Sequence, residues 1–584
     1  METTIGLSRL LSGGGTQGAN TSDNLTSSRK MAEEIVKRQK RLEHIRQPQD
    51  HTWDNTDRFV TSRRSHYNVG YIRGDSAEDA GGSAIYDDAA ADSIQKFADN
   101  FQAQSASPLI KWSEARFRGP LRSDSRATRW LDEMQEAKNY ELARSNFYEE
   151  YNECVQDAVS HGVATMAGPE WNYEKNRLEF RTFHPRNIFM WFNVLGIPIG
   201  WHDKFPMTGR QIKSEWPDAK LTPVMENKIK ENAFREFMVI HAIYHRDERD
   251  IKSPAATDKK WASVWVVESE KIVLHESGYD DLDMPMDTWI WRKGGSGLYA
   301  FCPATDALYG VMMENDAAKS LLEAIQLSTQ PPLIISEGVK GNVNFFPLGQ
   351  TVLHNPNDKV QAFQFPTNFA ISVEALTDLR KQIAVRFRAD VFTMMNDLPA
   401  GTKAFTASQV AGEKASGLIP IVTRSSSQML IPKQDKTIRE LAKAGRLTPP
   451  PASIMQHMRS PVDTEMTGPV ATAAKRFLSQ QGFNAMMAQI QEISATTAHQ
   501  PQLLAAVLEG FNPDEIRKFL VESNSVTQRL LFSDEELAQI RKAKADAAKQ
   551  QQAMQKLQGL AQASKDGGQA PDPGSMAALV MGGK

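Results

Sequence analysis

Five hundred and eighty-four residues provide for several domains and a large core, which excludes a peptide or a disulfide miniprotein. With 68 Lys+Arg against 71 Asp+Glu the formal charge is -3, so nucleic acid cannot be held by bulk basicity and any contact with it must be local or transient. Two cysteines, Cys154 and Cys302, cannot build a disulfide framework or a cysteine-based zinc site, and each is expected as a small buried hydrophobe in a reducing compartment.

All 11 Trp and all 11 Tyr lie at or before Tyr309, so the last 275 residues contain neither and the two halves differ in kind. The aromatic-rich part, strand-prone up to about residue 300, predicts a mixed domain; the Ala, Gln, Met and Leu-rich remainder predicts helices. The first thirty residues, rich in Gly, Ser, Thr and Asn, are expected to be disordered. A charged helix is predicted from Met31 to Ile45 with a stop near Pro48, and a second from about Asp87, carrying Ile94, Phe97 and Phe101 and ending at Pro108. Phe147, Tyr151, Val155 and Ala158 recur every three or four residues and stop at Gly162, which predicts a helix with one apolar face and a glycine cap. Leu178 to Phe183, Phe237 to Tyr244, Val264 to Val267 and Lys271 to His275 read as strands, giving an α+β class.

After Pro303, Thr305 and Asp306 are expected to cap a helix in which Leu308, Met312, Asn315, Leu322 and Ile325 keep helical spacing until Pro331-Pro332. A second, from about Thr367 to Met395, is marked by Phe369, Val373, Leu376, Ile383, Phe387 and Val391. At 1.5 Å per residue each would be about 40 Å long, so the two are expected to match as an antiparallel pair. Residues 331–366 between them hold five prolines and short β-like runs at Leu333 to Ile335, Gln350 to Leu353 and Val360 to Phe365, a small strand-bearing module at the tip of the pair. Another helical region is predicted from Thr406 to Gly445, interrupted by Gly417 and Pro420. Pro449-Pro450-Pro451 breaks the chain, and a smaller helical region follows from Val470 to Leu531. Glu535 to Leu557 forms a last helix, too poor in apolar residues to be stable without partners, before a disordered Gly/Pro/Ala/Ser tail. No apolar run approaches the roughly 18–20 residues that span a bilayer, and no basic-then-apolar signal pattern opens the chain, so neither a membrane span nor secretion by that route is expected.

Catalytic chemistry finds little support. No G-x-x-x-x-G-K-[ST] or G-x-S-x-G occurs, and Gly294-Gly295-Ser296-Gly297 lacks both the dinucleotide spacing and a following helix start. His241 and His245 are four apart but without the glutamate of H-E-x-x-H. The surrounding alternation favours a strand on which Phe237, Ile240 and Ile243 pack while the histidines sit at an edge. His184, before Pro185, reads as a structural turn residue with no acid or cysteine partner nearby in sequence, and Asp280-Asp281-Leu282-Asp283 as a solvated turn. No metal site, catalytic residue or cofactor site can be assembled, and a metal-dependent hydrolase would need one more ligand beside His241 and His245. Arg380, Lys381, Arg386 and Arg388 are offset by Asp378 and Asp390. They read either as an ion-paired helix face or as phosphate contacts, and Lys403 in the glycine-containing loop beyond reads either as an ordinary surface lysine or as a contact to a polyanion.

Several blocks, in this order, resemble the portal, or head-to-tail connector, proteins of short-tailed bacteriophages. They are Ser83-Ala84-Ile85-Tyr86-Asp87-Asp88-Ala89-Ala90, Phe97-Ala98-Asp99-Asn100-Phe101, Ser107 to Trp112, Phe147 to Gly162, and Glu276-Ser277-Gly278-Tyr279 through Met284-Pro285. Gly297-Leu298-Tyr299, Pro303, Leu308, Pro331-Pro332-Leu333, Phe405 to Val410 and Gly445-Arg446-Leu447-Thr448-Pro449 continue the series over residues 31–455. Ala300 after Tyr299 and the order Trp291-Arg292 depart from the family pattern and bear on local loop geometry.

The resemblance implies a non-enzymatic ring, typically a dodecamer, whose axis passes double-stranded DNA during packaging and ejection. It divides the chain into a disordered 1–30, a mixed α/β wing 31–302, a first stem helix 303–330, a clip 331–366 and a second stem helix 367–395. A channel loop 396–405, a long wing helix 406–448, a helical crown 449–532, a candidate barrel helix 533–560 and a disordered tail 561–584 follow. Lys403, Arg380, Lys381, Arg386 and Arg388 become DNA-channel candidates, and Glu337, Lys340, Asp358 and Lys359 candidates for partner binding on the clip. The implied partners are terminase, the major capsid and scaffolding proteins, and the tail adaptor and tail proteins. Assembly would take place in the host cytoplasm and the final location be the head-tail vertex of the virion; the alternative is another virion tail or adaptor protein.

Overall fold

The computed structural model describes residues 23–61, 85–117, 121, 124–246, 253, 255–293, 299–330, 333–335, 357, 360–362, 369–393, 416–452, 454 and 462–472, together with 539–544, 546, 547, 549–551 and 553–555. They fall into two units, divided at Gln481/Gly482. In the second unit the described residues are helical and exposed.

Helix α1 (Asp23–Phe59) does not stop near Pro48 but runs through it. A proline removes one backbone bond, and tertiary contacts on both sides of it hold the helix together. Arg46 donates to the carbonyls of Ile188 (2.9 Å) and Arg186 (2.9 Å), and Trp53 beyond the proline is fully buried. Helix α2 (Ala89–Ser105) buries Ile94, Phe97 and Phe101 as their spacing predicts. After β1 (Ser113–Phe117), helix α3 (Ser125–Arg144) starts on Asp124, whose carboxylate accepts from the amide of Arg126 at 2.9 Å. Helix α4 (Phe147–His161) buries Phe147, Tyr151, Val155 and Ala158 and ends on Gly162 at φ 83°, where a Cβ would stand 2.7 Å from the Ala300 carbonyl oxygen. Only glycine fits there.

Strands β2 (Val163–Asn172), β3 (Arg177–Phe183) and β9 (Asp287–Ile290) form an antiparallel sheet in the order β3-β2-β9. Strands β4 (Ile188–Phe192), β5 (Pro198–Thr208), β6 (Glu236–His245), β7 (Trp261–Val267) and β8 (Ile272–Tyr279) form a second, an antiparallel meander in chain order. Short helices α5 (Gly209–Glu215) and α6 (Pro223–Glu231) lie between β5 and β6. Ala32, Ile35 and Val36 of α1 cover Ile240, Ala242, Val264 and Val266 on one face, while Trp53, Trp216, Val239, Ile243 and Trp265 share the core on the other. His241 is therefore not at an edge. β6 has partners on both sides, and the ring is buried, stacked 4.0 Å from Trp265 with Nε2 2.9 Å from Ser263 Oγ. Burial first, then nearby cationic and histidine groups, hold this imidazole well below its ordinary pKa. His245, at the strand end, is exposed.

Two long helices follow. Helix α7 (Pro303–Thr329) starts on Cys302, with neither Thr305 nor Asp306 capping it, because Pro303 at the first helical position already has the required φ. Strands β10 (Leu333–Ile335) and β11 (Val360–Ala362) pair antiparallel, with Leu333 opposite Ala362. Helix α8 (Phe369–Arg386) is shorter than expected. Arg388 adopts φ 58°, the amide of Ala389 reaches the Ala384 carbonyl (3.0 Å) and that of Arg388 the Val385 carbonyl (3.0 Å), closing a Schellman turn before α9 (Asp390–Thr393). Gly417 and Pro420 do not interrupt the next helix. Residues 416–425 continue through a π-helical turn, Ser426–Leu430, into α10 (Ile431–Lys443), and the irregularity sits just before Pro432. Strand β12 (Val462–Met466), which no sequence pattern announced, pairs with β1.

Lys433 locks α10 to the three-stranded sheet at β2 and at the start of β9. Its buried Nζ donates to the carbonyls of Met166 (2.8 Å), Gly168 (2.7 Å) and Pro285 (2.8 Å) and pairs with Asp287 at 2.9 Å. Lys433→Met keeps the volume but leaves the three carbonyls without their donor and Asp287 paired with Lys436 alone (2.6 Å), so urea unfolding is expected to show a loss of about 1–3 kcal/mol.

Candidate functional site

Helices α7 and α8 run antiparallel, since Arg380 lies against Glu314 while Arg386, further along α8, donates to the carbonyl of Asp306, earlier in α7, at 2.6 Å. The pair is rooted in the largest core cluster. Ala304, Ala307, Leu308 and Val311 of α7 and Ile383 of α8 join Phe97, Phe101, Phe147, Trp289 and Trp291 there, with Phe387 just past α8. Beyond Ala318 the burial stops: Leu322 (44 % exposed), Ile325 (41 %) and Leu327 (42 %) on α7, and Val373 (52 %) on α8, meet solvent in the single chain. Of the positions with helical spacing predicted for α7, Leu308 and Asn315 are thus buried, Met312 packs on the core and Leu322 and Ile325 do not.

A charged clasp closes the root. Arg380 Nε donates to Asp87 Oδ2 at 3.0 Å and stands 3.5 Å from Glu314 Oε1, while the Tyr86 amide donates to Asn315 Oδ1 at 2.8 Å. The segment leading into α2 is thereby tied to both long helices. Burial raises the pKa of Glu314 to about 8, and the neighbouring Asp87 carboxylate adds to the rise. Burial pushes Asp87 up too, but hydrogen bonds from Glu314, the Ala89 amide and Arg380 outweigh it and hold Asp87 below its ordinary value. The proton of this carboxyl pair therefore resides on Glu314. In the sequence Asp87 stood only as a helix start and Glu314 was not singled out; the signal was a glutamate three residues after Val311 and four before Ala318, on the buried stripe of the helix.

The basic candidates are placed unequally. Arg380 is held by Asp87 and Glu314, Arg386 by the Asp306 carbonyl and Arg388 by the Gly417 carbonyl at 3.0 Å, whereas Lys381 forms an exposed pair with Asp378 at 3.6 Å. Lys403, Glu337, Lys340, Asp358 and Lys359 lie outside the described residues, as does Gly294 to Gly297. The Asp280 to Asp283 turn is ion-paired with Lys259, Lys260 and Lys443. His184, which has no acid nearby in sequence, meets Asp57 and His161 in the fold. Cys154 and Cys302 are both buried thiols.

The sequence pattern of the family described as bacteriophage head to tail connecting protein matches residues 32–531. The chain belongs to that family. It is a structural part of the virion at the head-tail connection and not an enzyme. It is 22% identical over 561 residues to the portal protein of Salmonella phage epsilon15, covering 94% of this chain and 98% of the relative. It is 24% identical over 485 residues to a probable portal protein of Bordetella phage BPP-1, covering 81% and 83%. Among solved structures, a chain from the neck of an empty GTA particle matches with a TM-score of 0.36 and 10% identity, covering 72% of this chain and 90% of that one.

Glutamate titrates near 4.5 in an unfolded chain and Glu314 near about 8 in this fold. The folded state binds the extra proton between those values, so the contribution is full below the lower one and is lost as pH rises through the upper. Glu314→Gln keeps a donor toward Asp87 without titrating and is expected to flatten the fall of the unfolding temperature across this window. Arg380→Ala, at a half-exposed pair, is expected to cost about 1 kcal/mol at neutral pH.

Proposed function

We propose that the chain is the subunit of a portal ring at the head-tail vertex, through whose axis double-stranded DNA is packaged and ejected. The observation that carries this reading is the rooted helix pair, buried at its base, apolar and uncovered beyond it, and continued by an antiparallel strand pair. Exposed Leu322, Ile325, Leu327 and Val373 gain cover when a second copy packs alongside, and repetition around an axis closes a ring, a dodecamer by family precedent. Residues 331–366 serve as the clip that docks terminase and then the tail adaptor, 396–405 as the channel loop, and the wing meets the capsid and scaffolding proteins. With Arg380, Arg386 and Arg388 committed to the fold, phosphate contact falls to Lys381 and Lys403. Two lysines per subunit make rings of weak contacts, as translocation requires, because many strong phosphate bonds would arrest the DNA.

Leu322→Glu combined with Ile325→Glu is expected to leave a folded monomer by light scattering and circular dichroism, whereas removal of 331–366 should permit rings that neither package DNA nor acquire tails. Rings from the double variant, or tailed particles from the deletion, would contradict the respective assignment. Lys403→Ala is expected to leave ring assembly intact and alter DNA retention, with an effect that shrinks as salt rises; packaging at unchanged rate and salt dependence would remove Lys403 from the channel.

A further inference from the structure

Asp57 at the end of α1, His161 at the end of α4 and His184 in the turn between β3 and β4 converge from three remote parts of the chain, each offering one ligand atom within 4.8 Å of the other two. His161 and Asp57 are buried and His184 is half-buried. His161 Nε2 stands 2.9 Å from Asp57 Oδ1, and the two imidazole rings lie 5.1 Å apart at 72°. The other nitrogen of His161, Nδ1, is 2.8 Å from Ser160 Oγ, and the other carboxylate oxygen of Asp57 accepts from Arg186 Nε at 2.8 Å. Each of these two groups thus has an outer partner that fixes its orientation, as metal-binding histidines and carboxylates do.

The charges agree with this reading. Asp50, Asp54 and Asp57 surround Arg186, and Arg46 pairs with Asp50 at 3.0 Å, so three carboxylates and two guanidinium groups leave one surplus negative charge beside the two imidazoles. Two imidazole nitrogens and one carboxylate oxygen suit a borderline divalent ion, whereas calcium and magnesium prefer all-oxygen sets. Trp53 closes the site, its ring 5.4 Å from His161 and its Nε1 donating to the His161 carbonyl at 3.2 Å.

We propose that Asp57, His161 and His184 bind one zinc-class divalent cation that staples the end of α1 to the α4–β2 corner and the β3–β4 turn. The ion replaces the Nε2 proton that His161 otherwise directs at Asp57, and a solvent molecule completes four-coordination. The role is structural, since two of the three donors are buried and the three come from a junction of separate elements, and it is independent of the channel assignment.

The test uses the full-length protein, stripped with a chelator and titrated with Co²⁺. Expected are saturation at one ion per chain, visible absorption bands of tetrahedral type that Zn²⁺ abolishes, and a higher unfolding temperature with Zn²⁺. His184→Ala, at the half-buried ligand, should lose the bands while keeping its circular dichroism, and Ser160→Ala should weaken binding about 10- to 100-fold. If His184→Ala fails to fold, the Ser160→Ala titration decides alone. Absence of saturable Co²⁺ binding, or binding that neither substitution changes, would overturn the site and leave a proton shared between His161 and Asp57.

Discussion

Burial runs out part-way along the long helix pair, and most of the protein's organisation follows from that. The first turns of α7 sit in an aromatic core built from α2, α4, β2 and β9, where Ala304, Ala307 and Val311 allow close approach. Farther out the helix carries Leu322, Ile325 and Leu327, each about two-fifths exposed. A helix of 27 residues spans about 40 Å, more than the thickness of the layer that roots it. The free end can be stable only if like surfaces cover one another, so the length of the pair and the need for neighbours are the same fact.

Polar contacts at the root decide how rigidly this lever is held. Three basic groups of α8 and the turn after it are each spent on a different partner: Arg380 on Asp87 and Glu314, Arg386 on Asp306, Arg388 on Gly417. Apolar contacts alone would tolerate sliding or rotation of α8 against α7; directional hydrogen bonds to backbone carbonyls and buried carboxyls do not. Charge that reads in sequence as a phosphate-binding surface is, in this part of the fold, a means of fixing helix register.

Elements set by local periodicity were legible in the sequence. The faces of α2 and α4, the Gly162 cap, the strands at Arg177–Phe183 and Trp261–Val267 and the helix from Pro303 follow from spacing and from residues with only one comfortable conformation. Features settled by distant partners were not. Pro48 should end a helix, but Arg46 and Trp53 are held on either side by the β3–β4 turn and the His161 carbonyl. Arg388 at positive φ is a poor guess for a helix end, yet Phe387 beside it is buried and its own guanidinium is bonded. β1 and β12 are too short and too far apart in sequence for either to announce the other. Of the candidate site, the helix pair could be read and its clasp could not, because Asp87, Glu314 and Arg380 belong to three separate segments.

The body that roots the helix pair and the pair itself are therefore stabilised in different ways, which suits their positions. In that body several buried polar groups find partners over long sequence separations: Lys433 with three carbonyls and Asp287, Arg46 with the β3–β4 turn, Trp201 Nε1 with Thr288 Oγ1 at 2.8 Å. Such matches penalise alternative arrangements heavily, since each displaced group would be buried without a partner. The outer half of the pair carries no comparable set among the described residues, and apolar surfaces, being non-directional, allow neighbouring copies to shift slightly without an unsatisfied group. A body that must keep its shape while its projecting helices adjust to neighbours is obtained by placing directional bonds inside the body and non-directional contact on the projecting part.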